Sequence, residues 1–476
     1  MTGIRAPLVL TAGAVAAAVS GHLLGGNPAQ VIGGFSIDSR TVQRGQLFIA
    51  IRGDCFDGAS YAGKSLEAGA CGVMLSRDSA VPSHAVAAGR PDAIVIEVDD
   101  TTAALQTLGH HVRRQSGTRV TAITGSAGKT TTKEIAADFL ETRYSVYRNP
   151  GNFNNHIGLP LSLLDLRGRP EVAVVELGMN HPGEIRQLVA LAEPDVRVWT
   201  NVGNAHVGYF SSPDAIADAK AEILDGATRS TVLVANADDP RVVARASDFG
   251  GRVITFGTAS GSDVHATHVE ELGVEGTRAH VRTPDGEAEL NVPLIGFGNL
   301  LNVLAATAVA HAHDVGLDVV VERARSLRPA KHRGEVVALR SGVTLIDDSY
   351  NSSPSALMRA LEAVGRDRRH ARKVAVLGEM LELGAFAQAL HVECGHAAVN
   401  AGISRLVAIG GAPAAALAAA ARDAGLDDDA AVHVETSAEA AGRVLELIAP
   451  GDLVLVKGSR GIGTDRVVDR IRAEWS

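Results

Sequence analysis

An apolar strand, Arg119–Thr124, runs directly into Gly125-Ser126-Ala127-Gly128-Lys129-Thr130-Thr131, and a helix begins at Lys129. Few segments constrain a fold as tightly. Gly lets the backbone turn sharply enough for successive N–H groups to point at one anion, and the helix N-terminus adds its positive end. In such a loop Lys129 reaches the terminal phosphates of a nucleotide and the Thr130 hydroxyl binds magnesium. The longer common pattern has a Gly at position 123, where this chain has Ile123. The motif is therefore the short G-x-x-G-K-T form.

Strands and helices alternate around this loop. Strand-like runs at Val172–Val175, Val196–Thr200, Thr231–Asn236 and Arg252–Phe256 predict a parallel sheet covered on both faces. Ala279–Val292 breaks the pattern. Its Thr283-Pro284-Asp285-Gly286 turn and alternating Ala288, Leu290 and Val292 predict a β-hairpin added at an edge. Before this region, Gln46–Ile51 and Ala93–Val98 are strand-like, with many glycines between them. A helix starts near Asp100–Thr101 with Leu105, Leu108 and Val112 on one face. After Arg328-Pro329, Ser353 and Pro354 open a helix, and Val374–Leu377, Leu406–Ile409 and Leu453–Val456 are widely spaced strands. The expectation is an α/β protein of three domains: residues 1–99, 100–328 with the phosphate loop, and 329–476, the last Rossmann-like.

The chain has 476 residues, enough for two or three domains, and its 46% hydrophobic and 21% charged content is that of a globular protein. A net charge of −9 gives no basic footprint for nucleic acid or a membrane surface. The cysteines Cys55, Cys71 and Cys394 are few and scattered, without disulfide or zinc spacing, which fits a reducing cytoplasm. The apolar run Ala6–Leu24 resembles a signal peptide in outline. Thr11 and Gly21 bound a helix over Ala12–Val19 within it, too short to span a bilayer, so it is read as a core helix.

A phosphate loop needs a carboxylate to hold metal. Glu176 follows the Val172–Val175 strand and would lie beside the loop, although a strand-end Glu is also an ordinary surface residue. His206 follows the Val196–Thr200 strand at the same edge, and a lone loop His is more often a surface one. Lys220, in a helical stretch, reads by itself as a solvated lysine. The loop Asn149–Gly158 holds Asn152, Asn154, Asn155 and His156, more polarity than a turn requires, and is a candidate ligand-facing loop.

Together these pieces resemble the Mur ligase family over nearly the whole chain. The resemblance is carried by Thr124–Glu134 (TGSAGKTTTKE), Gly151–Leu161 (GNFNNHIGLPL), Glu176–Ile185 (ELGMNHPGEI), Asp347–Pro354 (DDSYNSSP) and Val376–Gly384 (VLGEMLELG). It implies an ATP-dependent ligase joining D-alanyl-D-alanine to a UDP-N-acetylmuramoyl tripeptide through an acyl phosphate. A monomer is the default expectation, and the composition already points to the cytoplasm with no nucleic-acid or membrane partner. The resemblance also implies that Thr130, Glu176, His206 and a carbamylated Lys220 bind two magnesium ions. Asn299 resembles the adenine-reading Asn, and Asn302 follows it on the same helix. Arg333 and Asp348 resemble residues that close over the nucleotide. Ser39 and Arg40, with Gly53, Asp57 and Gly58, resemble the uridine-nucleotide motif. Asn152, Asn154, Asn155, Tyr350 and Asn351 fall in substrate-facing segments. Two departures stand out: Gly298 where many relatives have His, and the order His332-Arg333-Gly334 where relatives often have Gly-Arg. The rivals are a sibling ligase adding a diamino acid and a phosphate-loop switch that only hydrolyses its nucleotide.

Overall fold

The structure, a computed structural model, describes residues 5–53, 56–204 and 207–476. Its contacts gather into two compact units. One comprises residues 1–122, 144–179 and 184–195, and the other 123–143, 180–183 and 196–476.

The N-terminal sheet holds β1 (His22–Gly25), β2 (Gly34–Ser36), β3 (Gln46–Ile49), β4 (Gly72–Ser76) and β5 (Ile94–Val98), in the order β1-β5-β4-β3-β2. Only β1 is antiparallel to its neighbour. β3 ends at Ile49, two residues before the sequence pattern does. The helix expected within the apolar N-terminal run forms over Ala12–Ala18, with the Thr11 hydroxyl accepting from Ala14 N–H and Val15 and Ala16 buried. Asp100 caps helix Thr101–Ser116, and Leu105, Leu108 and Val112 are fully buried, as their spacing required. Gly109 on that helix lets it press on helix Gly158–Leu164: a Cβ there would stand 2.7 Å from the Pro160 carbonyl oxygen.

A nine-stranded sheet carries β6 (Arg119–Thr124), β7 (Val146–Arg148), β8 (Val172–Glu176), β9 (Val196–Trp199), β10 (Val232–Asn236), β11 (Arg252–Gly257), β12 (Val264–Glu271), β13 (Thr277–Thr283) and β14 (Gly286–Val292). The order is β14-β13-β12-β11-β10-β9-β6-β8-β7. β9, β10, β11 and β12 run parallel, and β12, β13 and β14 are antiparallel. The predicted hairpin is thus real, turns at Thr283–Gly286 and occupies an edge. The sequence pattern did not show that β12 makes it a three-stranded flap.

The third sheet holds β15 (Glu335–Ala338), β16 (Thr344–Asp348), β17 (Lys373–Gly378), β18 (Arg405–Ile409), β19 (Ala431–Val434) and β20 (Leu453–Lys457), in the order β15-β16-β20-β17-β18-β19. All but β15 are parallel, as expected of a Rossmann-like unit. β20 lies between β16 and β17, so Asp348 and Leu377 both register opposite Lys457. Helix Pro354–Arg366 starts where expected. Ser353 is its N-cap residue, but its hydroxyl makes no capping bond.

Arg113 ties the first unit together from inside. Its guanidinium donates to the carbonyls of Ala192 (2.6 Å), Glu193 (2.7 Å) and Thr118 (3.0 Å) and to the Asp195 carboxylate (3.2 Å). Arg113→Met keeps the bulk and strands these acceptors. A loss of about 3 kcal/mol in unfolding free energy is expected by chemical denaturation. An unchanged midpoint would show that the bonds are replaced by water.

Candidate active site

The phosphate loop keeps its shape because the end of β9 grips it. The Asn201 carboxamide accepts from Ala127 N–H (2.9 Å) and donates to the Ala127 carbonyl (3.0 Å), and the Thr200 hydroxyl donates to that carbonyl as well (2.8 Å). Ser126 N–H donates to the Asn201 carbonyl (3.0 Å). The Ser126 hydroxyl accepts from Gly203 N–H (2.8 Å). Gly125 and Gly128 have φ of +151° and +81°. A Cβ on Gly125 would fall 1.9 Å from the Thr200 hydroxyl, and one on Gly128 2.1 Å from the Asn302 carboxamide oxygen. Both glycines are therefore dictated by conformation and by space. Lys129 folds back to donate to the Gly125 carbonyl (3.0 Å), while Thr130 and Thr131 lie half-buried in the first turn of helix Lys129–Leu140.

Asn302 belongs to this arrangement. On helix Phe297–Ala312 it accepts from the Thr132 hydroxyl (3.3 Å) and donates to the Asn299 carboxamide (3.1 Å), whose own amide donates to the Ile295 carbonyl (2.9 Å). The two Asn side chains thus form a chain from the phosphate loop to the start of their helix.

In the first unit Glu176, almost fully buried, ends β8. Its carboxylate accepts from the Asn154 amide (2.7 Å), and its own N–H donates to the Asn149 carboxamide (3.0 Å). Asn155 accepts from Gly158 N–H (2.8 Å) and opens the helix there, so it organises the loop, while Asn152 is exposed. A cavity of about 220 Å³ beside this loop is lined by Phe35, Gln46, Pro150, Phe153, Leu161 and Asp165, among others. Arg40 forks onto Asp38 through 2.7 and 2.9 Å bonds and holds that carboxyl down at about 2. Ser39 lies between them in sequence. Asp57 caps the short helix Gly58–Tyr61.

In the second unit Lys220 is 2% exposed, not solvated as the sequence alone suggests. Glu222, two residues on, accepts from Gly183 N–H (2.7 Å). His206 lies outside the described residues. Among the described residues no three His, Cys, Asp or Glu side chains cluster as metal ligands. The loop after β9 meets the third region at two points. A Cβ on Gly203 would stand 2.9 Å from the Ser355 hydroxyl. Gly208 N–H donates to the Glu382 carbonyl (3.0 Å), and a Cβ on Gly208 would lie 2.6 Å from Gly384 N.

The third region builds a cationic corner at the C-terminal ends of β16 and β20. Asp347, fully buried, accepts from Ser349 (2.6 Å), His332 (2.8 Å) and Arg472 (3.3 Å). His332 is held at φ +61°, a conformation a non-Gly residue rarely adopts. Lys457, also buried, pairs with Asp348 (2.6 Å) and donates to the Asn351 carbonyl (3.0 Å). Arg333 stacks on the Tyr350 ring at 4.1 Å, and Arg460 lies 5.4 Å from the same ring and donates to its hydroxyl (3.2 Å). On helix Ala387–Asn400 His391 accepts from Met380 N–H (3.0 Å) and pairs with the Ala387 carbonyl (2.7 Å), and burial pushes its imidazole below the ordinary value.

Domain descriptions from one family match all three regions: Mur ligase family, catalytic domain, over residues 31–113; Mur ligase middle domain over 123–310; and Mur ligase, glutamate ligase domain, over 332–460. The UDP-N-acetylmuramoyl-tripeptide–D-alanyl-D-alanine ligase of Bacillus subtilis is 34% identical over 440 residues, 92% of this chain and 93% of that one. The chain belongs to the Mur ligase family. Among solved structures, MurF from Acinetobacter baumannii is similar with a TM-score of 0.86 at 28% identity, covering 98% of this chain and 100% of that one. MurF ligase from Thermotoga maritima, in complex with ADP, is similar at 0.79 and 28%, covering 93% and 97%.

Within this Mur ligase frame the motif segments yield the loop, Glu176 and Asp348, but not their holders. Asn201, Lys457, Arg460 and His391 went unmarked by sequence. Asn201 had a signal, a carboxamide directly after a strand at the nucleotide edge. The others are single residues in apolar or glycine-rich surroundings.

Two measurements check this geometry. Gly128→Ala adds a side chain where φ and Asn302 both forbid one. Nucleotide affinity by calorimetry should fall more than about tenfold with the fold retained. Wild-type affinity would show that the loop relaxes freely. Secondly, the His391 folded-state pKa lies below its ordinary 6.5, so the unfolded chain binds more protons as pH falls past that value. Stability from this neutral imidazole is complete above about pH 6.5 and is lost on acidification. The melting temperature should drop between pH 7.5 and 5.5, and drop less in His391→Gln. Equal slopes would discount the histidine.

Proposed function

We propose that this chain joins D-alanyl-D-alanine to the terminal carboxylate of a UDP-N-acetylmuramoyl tripeptide at the expense of ATP, yielding the pentapeptide, ADP and phosphate for peptidoglycan synthesis in the cytoplasm. The observation that carries the reading is likeness to ligases of that name along almost the full length, through all three regions. The sibling and switch readings have no comparable support. We divide the labour among residues 1–99 for the uridine nucleotide, 100–328 for ATP and 329–476 for the dipeptide.

A carboxylate is a poor acyl donor because its leaving group would be oxide. Its oxygen attacks the γ-phosphorus of ATP, the bond to the β-phosphate oxygen breaks, and ADP leaves. The neutral amine of the dipeptide then attacks the acyl carbon, phosphate departs and the amine loses a proton. The loop's N–H groups and Lys129 offset charge on the transferring group. Asn299 and Asn302 support the adenine side, and Arg333 with Asp348 the phosphate side. Ser39 and Arg40 take the uridine end, Asn152, Asn154 and Asn155 the muramoyl peptide, and Tyr350 and Asn351 the incoming dipeptide.

Magnesium is a hard cation that prefers oxygen ligands; Thr130 and Glu176 offer oxygen, Lys220 would do so only once carbamylated, and His206 offers a nitrogen. Thr130, Glu176, His206 and Lys220 would hold it, and when bound it supplies charge neutralisation at the γ-phosphate. Lys220 is 2% exposed. Addition of CO₂ to the neutral amine, with loss of a proton, gives a carbamate anion that turns this burial into metal affinity.

Phosphate release from ATP should require both the UDP-tripeptide and the dipeptide. Release with no amine acceptor would point to the switch, and release with a diamino acid to the sibling. Lys129→Ala should abolish turnover while melting as the parent does. Short carboxylates should restore part of the activity of Lys220→Ala, and failure across a concentration series would remove the carbamate from the account.

A further inference from the structure

We propose that Arg359, on helix Pro354–Arg366 of the third region, belongs to the nucleotide site and stacks its guanidinium on the purine base. The inference rests on the reading of the chain as an ATP-dependent ligase and adds a base contact to it.

Helix Pro354–Arg366 lays one stripe of side chains on the middle region. Ser355, Arg359, Ala363 and Arg366 follow one another at spacings that put them on one helical face. Three of them meet glycines. A Cβ on Gly203 would stand 2.9 Å from the Ser355 hydroxyl. One on Gly298 would stand 3.4 Å from Arg359 Cδ and 3.8 Å from its Nη1, and one on Gly296 2.9 Å from Ala363 Cβ. The fourth, Arg366, pairs with Glu271 at 2.8 Å, and Glu271 also accepts from Phe297 N–H (3.2 Å). The two arginines therefore differ. Arg366 has its carboxylate, whereas Arg359, half-buried, makes no hydrogen bond or ion pair among the described residues.

On one side of Arg359 in this stripe, Ser355 abuts Gly203, whose N–H is bonded to the Ser126 hydroxyl of the phosphate loop. On the other, Ala363 abuts Gly296 at the start of helix Phe297–Ala312. Arg359 lies between them, its stem against Gly298 and so next to Asn299. Asn302, which bonds the loop helix through Thr132, is one turn further along, about 4.5 Å of helix rise. A nucleotide with its phosphates in the loop and its base along this helix brings the base to Gly298 and Asn299. Asn299 has little left to offer it, since its amide donates to the Ile295 carbonyl and its oxygen accepts from Asn302. Gly298 offers no plane at all. A guanidinium is planar, weakly hydrated and stacks on aromatic faces, so Arg359 can supply the plane from across the seam. The missing side chain at Gly298 is the space its stem crosses.

The test is calorimetry of the full chain with the magnesium salts of ADP and of CDP, whose smaller ring stacks less. Wild type should prefer ADP. Arg359→Ala should weaken ADP about 5- to 30-fold and narrow the preference over CDP. Arg359→Tyr keeps a plane without charge, and Arg359→Lys keeps charge without a plane. The Tyr variant should bind ADP better than the Lys variant. The reverse order makes Arg359 a phosphate contact and overturns the stacking. Gly298→His combined with Arg359→Ala restores a ring from the near side, and its ADP affinity should return to within about threefold of wild type. A side chain that served only to hold the two helices together would not be replaced in this way. Wild-type ADP affinity in Arg359→Ala, or no rescue by the histidine, overturns the assignment while dipeptide ligation leaves the ligase reading intact. A wild-type chain that binds no ADP removes both.

Discussion

The grip of Asn201 on Ala127 is the contact on which the remaining geometry depends. One carboxamide bonds both the N–H and the carbonyl of a single loop residue, and Thr200 doubles the bond to the carbonyl. A glycine-rich loop left to itself would populate many conformations, and pointing several N–H groups at one anion is entropically expensive. By bonding the loop at Ala127, the end of β9 leaves the flanking glycines free to hold positive φ. Helix Lys129–Leu140 then starts where it must, and through Thr132 and Asn302 it sets the position of helix Phe297–Ala312.

A buried carboxylate plays the corresponding part in the third region. Asp347 is costly to desolvate unless each lone pair finds a donor, and Ser349, His332 and Arg472 supply them. These bonds hold the chain on either side of β16. The unusual backbone of His332 and the placement of Arg333 and Tyr350 follow from that. Charge is divided unevenly at the corner, with Lys457 balanced by Asp348 and Arg333 and Arg460 gathered on the Tyr350 ring.

Much of this could be read from sequence where one residue's role is local. The phosphate loop was legible because Gly125, Gly128, Lys129 and Thr130 lie within one turn of chain. The face of helix Thr101–Ser116 was legible from spacing, and the flap's turn from Pro284, Asp285 and Gly286. Lys220 shows the limit. Helical spacing describes only its own helix, whereas its burial comes from elements distant in sequence. Ser353 shows another, since position at a helix start does not guarantee a capping bond. Asn302 was placed near the nucleotide by resemblance, but its contact with the loop emerges only from the packing of two helices. Arg460 had no signature, because its contact is with Tyr350, more than a hundred residues earlier.

At Gly208 the join between the loop after β9 and the third region is made of main chain. Gly208 donates to the Glu382 carbonyl and lies against Gly384 without an intervening side chain. No charged group takes part in that bond, so it should be indifferent to ionic strength and to pH across the physiological range. Salt would then screen the charges of the arginine corner without loosening this seam. The seam is also unforgiving of mutation, since every replacement of Gly208 adds atoms where backbone already lies.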